Sequence, residues 1–135
     1  RLYTWLSAMN GSTNVGCQGI APNEWHIPSK EEWEELIIFL GGYETAGGEL
    51  KEVGFECWKE PNYGADNSSG FTTRGSGTLY RNEFYSIKEI AYFWSSTQYD
   101  ESTSFRFDVA YNSVDVGHPR SDKTDGFAIR CIKNN

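Results

Sequence analysis

The segment from Ser29 to Gly42 constrains the fold most, because its pattern marks both ends of a helix. Ser29 followed by Glu32 is a capping box, in which the serine hydroxyl and the glutamate carboxylate each accept a hydrogen bond from a backbone N–H of the first turn. Four apolar residues then recur on one helical face, and two glycines that can adopt positive φ end the segment. These apolar residues are Trp33, Leu36, Ile37 and Leu40. The pattern predicts a helix over residues 30–40.

The rest of the chain predicts short elements joined by long turns. Aromatic residues make up 16% of the sequence and glycine occurs 14 times, a composition that favours a turn-rich fold over a helix bundle. A second short helical segment is predicted over residues 46–51, whereas residues 54–80 lack helical periodicity and are predicted to be irregular. Strands are predicted over residues 91–96, 105–110, 114–116 and 127–132, with a polar loop at 117–125. These features predict an α+β domain.

Length and charge limit the classes of function. The 135 residues are enough for one domain, spanning residues 1–135. The net charge is −7 and the 12 Lys and Arg residues are scattered, so the sequence lacks the basic stripe of a nucleic-acid-binding protein and is not attracted to anionic membranes. No stretch approaches 18 consecutive apolar residues, so direct membrane insertion is not expected. The acidic balance mainly favours solubility.

Three cysteines leave the redox state open. Cys17, Cys57 and Cys131 are too far apart for a paired-cysteine metal motif. One disulfide with a leftover thiol suits an exported protein, and three buried thiols suit a cytosolic one.

Three motifs occur in one order along the chain and together resemble a known family. They are Trp25–Pro28 with Glu32 and Trp33, Phe93–Thr97, and Gly126–Cys131. Supporting matches are Leu2–Trp5, Ala46–Gly48, Pro61 with Asn62, Gly64 with Ala65, and Ser69–Phe71. The chain resembles, over essentially its whole length, the Fibrobacter succinogenes major paralogous domain of bacterial surface proteins.

The resemblance implies a C-type-lectin-like fold, similar also to formylglycine-generating enzymes, with one or two helices, short antiparallel strands and much irregular loop. It implies an exported protein at the extracellular or outer-membrane surface, and a domain that forms the C-terminal part of a longer chain. Some similar domains are variable proteins of diversity-generating retroelements, in which a fixed scaffold displays a changeable ligand-binding face. Many members carry a cysteine at the position of Ala21, so we expect Cys17 to form the disulfide with Cys131 instead.

The candidate chemical groups favour a binding domain over an enzyme. His26 precedes a helix cap, which indicates a structural role with the imidazole bonded to a backbone group. Formylglycine-generating enzymes use a thiol pair, and only Cys57 remains outside the expected disulfide. No nucleophile elbow or phosphate-binding loop is present, so no catalytic residues are expected. Scattered acidic residues leave calcium as a possible cofactor, without EF-hand spacing. They are Asp100, Glu101, Asp108, Asp115, Asp122 and Asp125.

The C-terminal third has the composition of an adaptable binding surface. Tyr supplies large rigid contact area, and Ser, Asn and Asp with an occasional Arg supply adjustable hydrogen bonds. The predicted ligand-binding residues are Tyr99, Asp100, Ser102, Arg106, Asp108, Tyr111, Asn112, Asp115, His118 and Arg120. The alternative is the ordinary polar face of a hairpin. Trp25, Trp33, Trp58 and Trp94 are expected to pack the core instead.

The sequence therefore predicts a surface-displayed domain that binds a protein or a glycan through its C-terminal face. Two alternatives remain open. One is a structural or adhesin module of a pilus or surface layer, and the other is a degenerate relative of formylglycine-generating enzymes.

Overall fold

The computed structural model describes residues 1–135 and confirms a mixed α+β architecture. Three short helices lie in the first half of the chain: α1 (Trp5–Ala8), α2 (Lys30–Phe39) and α3 (Ala46–Leu50). The strands lie mostly in the second half. They are β1 (Trp25–His26), β2 (Ser76–Tyr80), β3 (Glu83–Ile87), β4 (Ile90–Gln98), β5 (Thr103–Ala110), β6 (Val116–Gly117), β7 (Arg120–Asp122) and β8 (Ile132–Lys133).

One sheet organises the molecule. Its strand order is β3-β2-β4-β5-β6. Two short strands pair with the same edge of β5: β6 pairs with Asp108 and Val109, and β7 pairs with residues 103–105. All pairings are antiparallel except the short parallel contact between β2 and β4 at Gly77 and Ala91. β1 and β8 form a separate two-stranded pair that joins the start of α2 to the C-terminal end of the chain.

The central strands β4 and β5 are covered on both faces. One face carries Ala91, Phe93, Phe107 and Val109, which pack with Trp33 and Ile37 of α2. The opposite face carries Trp94, which packs with Trp5 and Phe127. Two hydrophobic clusters therefore lie on either side of one hairpin, which fixes its position within the fold.

Local signals located α2 and α3 correctly, whereas α1 was not specifically predicted. The hydroxyl of Ser29 accepts from the N–H of Glu32 at 3.1 Å, and the Glu32 carboxylate accepts from the N–H of Ser29 at 2.8 Å, so the predicted capping box is present. The helix ends at Phe39, one residue before the predicted end. The second predicted helix, over residues 46–51, is present as α3. No helix is long and apolar enough to cross a membrane.

Several strand predictions were incomplete. The stretch predicted as irregular ends in β2, and β3 was not predicted at all. The predicted closing strand over 127–132 is mostly irregular, because its residues make single bridges, such as Phe127 to Tyr3, before the short β8. The predicted polar loop over 117–125 contains β7. Trp25 was wrongly assigned to the core, since it is 37% exposed.

The expected disulfide between Cys17 and Cys131 is wrong, because all three cysteines are unpaired. The Cys17 sulfur points toward the first helical turn and lies 3.6 Å from the sulfur of Met9. Cys131 is half-buried, and burial raises the pKa of its thiol. Both side chains pack as small apolar groups at the edge of the cluster that contains Trp94.

Candidate functional site

The structure divides the ten predicted binding residues among three places. The first, which we call the turn cluster, lies at the β4–β5 connection and contains Tyr99, Asp100, Ser102 and Arg120. The second, the loop cluster, lies at the opposite end of β5 and contains Tyr111, Asn112, Asp115 and His118. Arg106 and Asp108 point elsewhere, onto the face of the sheet that carries Trp94. The predicted residues therefore do not form one site.

The turn cluster is held together by its own contacts. The Arg120 guanidinium lies 4.0 Å from the ring centroid of Tyr99, and that ring makes an edge contact with Phe105 at 5.6 Å. Asp100 Oδ1 accepts from the Thr103 hydroxyl at 2.9 Å and from the backbone N–H groups of Thr103 at 2.7 Å and Ser102 at 2.9 Å. These hydrogen bonds, that of the Thr103 hydroxyl most of all, lower the pKa of Asp100 from its ordinary 3.8 to about 2. Asp100 therefore shapes the turn, and its Oδ1 is already occupied.

The lowered pKa of Asp100 predicts an acid-dependent loss of stability. Its carboxylate is favoured in the folded state, so its contribution is complete above the unfolded pKa and disappears as the pH falls through the folded value. We expect Asp100→Asn to lower stability at neutral pH and to flatten the loss of stability between about pH 4 and pH 2. Urea denaturation across this pH range measures both effects. Glu101→Gln removes the same charge one residue along and is the matched control; an equal flattening in that variant would contradict the assignment.

The loop cluster is anchored by groups from other elements. The His118 ring packs on Tyr43 with centroids 4.3 Å apart, and the Lys59 ammonium lies 5.2 Å from the ring centroid of Tyr111. Asn112 and Asp115 are exposed. Below this loop, the ammonium of the fully buried Lys51 donates to the carbonyl oxygens of Ala110 and Ser113. The loop cluster is thus an exposed surface on a firmly held backbone.

Arg106 lines a cavity that the sequence did not predict. Arg106 Nε donates to Ser121 Oγ at 2.7 Å, and its Nη1 donates to Asp108 Oδ2. The guanidinium also lies 4.7 Å from the Tyr92 ring centroid. Gly117 is paired with Asp108, and a Cβ at position 117 would lie only 2.5 Å from Asp108 Oδ2, so glycine at this position leaves room for the carboxylate that pairs with Arg106.

The cavity has a volume of about 410 Å³ and an open mouth. Its lining combines aromatic rings with polar side chains: Thr78, Tyr80, Tyr85, Tyr92, Arg106, Ser121, Asp125 and Phe127. The rings of Tyr80 and Tyr85 belong to neighbouring strands, lie 6.3 Å apart and are 42% and 45% exposed. A cavity with rings and a few converging polar groups is the common form of a small-ligand site. We call it the tyrosine cavity.

Asp125 supplies a free acceptor at the tyrosine cavity. Burial and the neighbouring Asp122 raise the pKa of Asp125, and the Arg106 charge opposes the shift without an ion pair being formed. Arg106 has five N–H donors, of which only two are used by Asp108 and Ser121. The Asp125 carboxylate and the Arg106 guanidinium therefore both line the tyrosine cavity with unused hydrogen-bonding capacity. Asp125 was not among the predicted ligand-binding residues.

The side chains that could bind a metal ion do not lie close together. No group of three or more His, Cys, Asp or Glu side chains converges in the way that a metal ion requires, and the six acidic residues named as calcium candidates are spread over different clusters. His26 is 2.7 Å from Asn134 Oδ1 and 2.9 Å from Glu32 Oε1. It therefore joins the helix start to the C-terminal segment, through side chains instead of the predicted backbone group.

The family assignment follows from the whole length of the chain. No curated protein and no solved structure shows significant similarity to it. The model of one family, the Fibrobacter succinogenes major domain, matches residues 1–133. This match agrees with the order of the Trp25–Pro28, Phe93–Thr97 and Gly126–Cys131 motifs. The chain belongs to the Fibrobacter succinogenes major domain family.

Proposed function

We propose that this domain is a non-enzymatic ligand-binding module displayed at the bacterial surface, and that its binding site is the tyrosine cavity. The observation that carries the proposal is the meeting of exposed tyrosine rings with the unused polar groups of Arg106 and Asp125. Such a combination provides contact area and directional hydrogen bonds at low entropic cost. The exported location and the C-type-lectin-like fold rest on the family resemblance.

The turn cluster extends the proposed surface beyond the tyrosine cavity. β7 connects the two, because Arg120 belongs to the turn cluster and the adjacent Ser121 lines the cavity. A protein or glycan ligand larger than the cavity would contact Tyr99 and Arg120 as well. A diversified binding face would place its variable residues among the exposed positions of these clusters.

A structural role in a pilus or surface layer is the second candidate. The edge strand β3 exposes two large apolar side chains, Phe84 at 64% and Ile87 at 57%, which a neighbouring subunit would cover. Such packing involves different residues from the polar groups of the tyrosine cavity, so experiments separate the two candidates.

Chemical-shift mapping tests the proposed site. Four classes of small probe are added to the ¹⁵N-labelled domain: neutral sugars, quaternary ammonium ions, carboxylates and free amino acids. We expect at least one class to shift the backbone amide signals of Thr78, Tyr92 and Ser121. These amides line the tyrosine cavity, so a bound probe changes their surroundings directly. The amides of Asn112 and Asp115 in the loop cluster are the internal control. If no class of probe shifts the cavity signals, or if only the signals of Phe84 and Ile87 move, the proposed site is wrong.

A further inference from the structure

A second cavity of about 370 Å³ lies next to the tyrosine cavity. The two share Tyr80 and Asp125, and the second is lined mostly by polar side chains. Its lining consists of Thr4, Leu79, Tyr80, Arg81, Asn82, Asp122, Thr124 and Asp125. We call the two neighbouring cavities together the groove; one carries the aromatic rings, and the other carries hydroxyl, amide and carboxylate groups.

The charges along this groove disfavour an ionic ligand of either sign. The charge of Arg106 is already compensated by Asp108, and Asp122 and Asp125 oppose the charge of Arg81 in the second cavity, so an anion gains little attraction. A cation would approach Asp122 and Asp125, but Arg81 lines the same cavity and repels it. What remains attractive is an uncharged ligand that both donates and accepts hydrogen bonds.

The unused hydrogen-bonding groups match a pair of neighbouring hydroxyls. One hydroxyl donates to the Asp125 carboxylate, and an adjacent one accepts from the free N–H groups of Arg106. A desolvated site built around such groups rejects ligands that leave them unpaired. Ligands with vicinal hydroxyls on a rigid ring satisfy both groups at once.

The exposed rings supply the apolar half of the contact. Tyr80 and Tyr85 are inclined by 60° to each other, so they form two walls instead of one flat stack. Aromatic faces carry partial negative charge and attract the weakly positive C–H groups of a sugar ring. The hydroxyl of Tyr85 already donates to Glu83 Oε2 at 2.6 Å, so the ring is the part of this side chain that is left for a ligand.

We propose that the groove binds a neutral oligosaccharide, with one sugar ring against the exposed sides of Tyr80 and Tyr85 and its hydroxyls on Arg106 and Asp125. The proposal rests on the proposed function, because it names the ligand class of the same site. The second cavity favours a chain of at least two sugar units over a monosaccharide, since its hydroxyl, amide and carboxylate groups meet the next unit.

Binding of defined saccharides tests the ligand class. An array of neutral oligosaccharides selects the best binder, and calorimetry then measures its Kd for the 135-residue domain. We expect a Kd on the order of 1 mM or tighter, and tighter binding of the trisaccharide than of its terminal monosaccharide. Tyr85→Ala is expected to weaken binding by about tenfold and Tyr85→Phe to retain it, because the ring supplies the contact. Asp125→Asn is expected to weaken it severalfold.

Matched controls lie outside the groove. Tyr63→Ala removes an exposed tyrosine that lines neither cavity and Asp115→Asn another exposed carboxylate, and both should leave the Kd within about twofold. Thermal denaturation of each variant checks that it is folded. If no saccharide binds but a quaternary ammonium ion, a carboxylate or a free amino acid shifts the cavity signals, the ligand class is wrong and the site is retained. Absence of shifts with every probe overturns the site itself.

Discussion

Replacing Lys51 with methionine is expected to lower the free energy of unfolding by about 3 kcal/mol. Lys51 is fully buried, and its ammonium donates to the carbonyl oxygens of Tyr63 at 2.8 Å, Ala110 at 2.9 Å and Ser113 at 2.7 Å. Methionine fills a similar apolar volume but leaves the carbonyls of Tyr63 and Ser113 without donors and that of Ala110 with only the Ser113 N–H at 3.5 Å, at about 2 kcal/mol for each lost bond. Burial lowers the pKa of Lys51 to about 8, so removing the ammonium returns about 3 kcal/mol of its desolvation cost. The unpaired carbonyls outweigh this gain.

Urea denaturation at neutral pH measures the loss, and Lys59→Met is the matched control. The Lys59 side chain is 55% exposed and pairs with Glu89 at 2.8 Å on the surface. Exposed ion pairs contribute less than about 1 kcal/mol, so this variant should stay close to the wild type. Equal losses in the two variants would show that Lys51 does not join the loop at Ala110–Ser113 to the rest of the domain.

The helices could be predicted because their determinants are local. Ser29, Glu32 and the apolar positions up to Leu40 lie within a dozen residues, and the bonds they form are those that the pattern implies. Strand β5 was predicted for the same reason: Phe107 and Val109 alternate with polar residues within it, although its pairing with β4 was not predicted. The burial of its second face was not predicted, because Arg106 and Asp108 lie on that face and polar residues usually indicate a solvent-exposed side.

The tyrosine cavity could not be predicted because distant segments build it. Tyr80 and Tyr85 face each other only because Arg81 and Asn82 both adopt positive φ and turn the chain into a hairpin. Asn-Gly is the usual signal for such a turn, and Arg-Asn is not. β3 is also largely exposed, so no alternation of buried residues marked it as a strand. Asp125 reaches the cavity from a separate loop.

The buried lysines show the same limitation. Lys51 and Lys123 stand in sequence among other charged residues and read as surface positions. In the structure the Lys123 ammonium donates to the carbonyls of Asp100 at 2.7 Å and Glu101 at 3.0 Å, and it lies 4.5 Å from the Trp5 ring centroid. Each lysine thus fixes the backbone beneath one predicted binding cluster. The carbonyls that each lysine contacts come from residues distant in the sequence, so no local sequence pattern predicts that the lysine is buried.

Trp94→Ala is expected to cost about 4 kcal/mol of folding free energy. Trp94 is fully buried on the second face of β4, its ring centroid lies 4.4 Å from that of Phe127, and its indole N–H donates to the carbonyl of Tyr3 at 2.9 Å. The substitution opens a large cavity between the sheet and the N-terminal segment and removes one of the two donors to the Tyr3 carbonyl, which keeps its bond from the Phe127 N–H at 3.0 Å. Urea denaturation followed by circular dichroism measures the loss.

Trp25→Ala is the matched control, because Trp25 is 37% exposed on the two-residue strand β1 and should cost about 1 kcal/mol or less. Should Trp94→Ala fail to fold, Trp94→Phe keeps most of the buried volume and is expected to cost less than the alanine variant.

Phe127 packs against Trp94 and also lines the tyrosine cavity, so the core supports one wall of the proposed site. Full stability of Trp94→Ala combined with loss of ligand binding would contradict this division between a tryptophan core and a tyrosine-lined site.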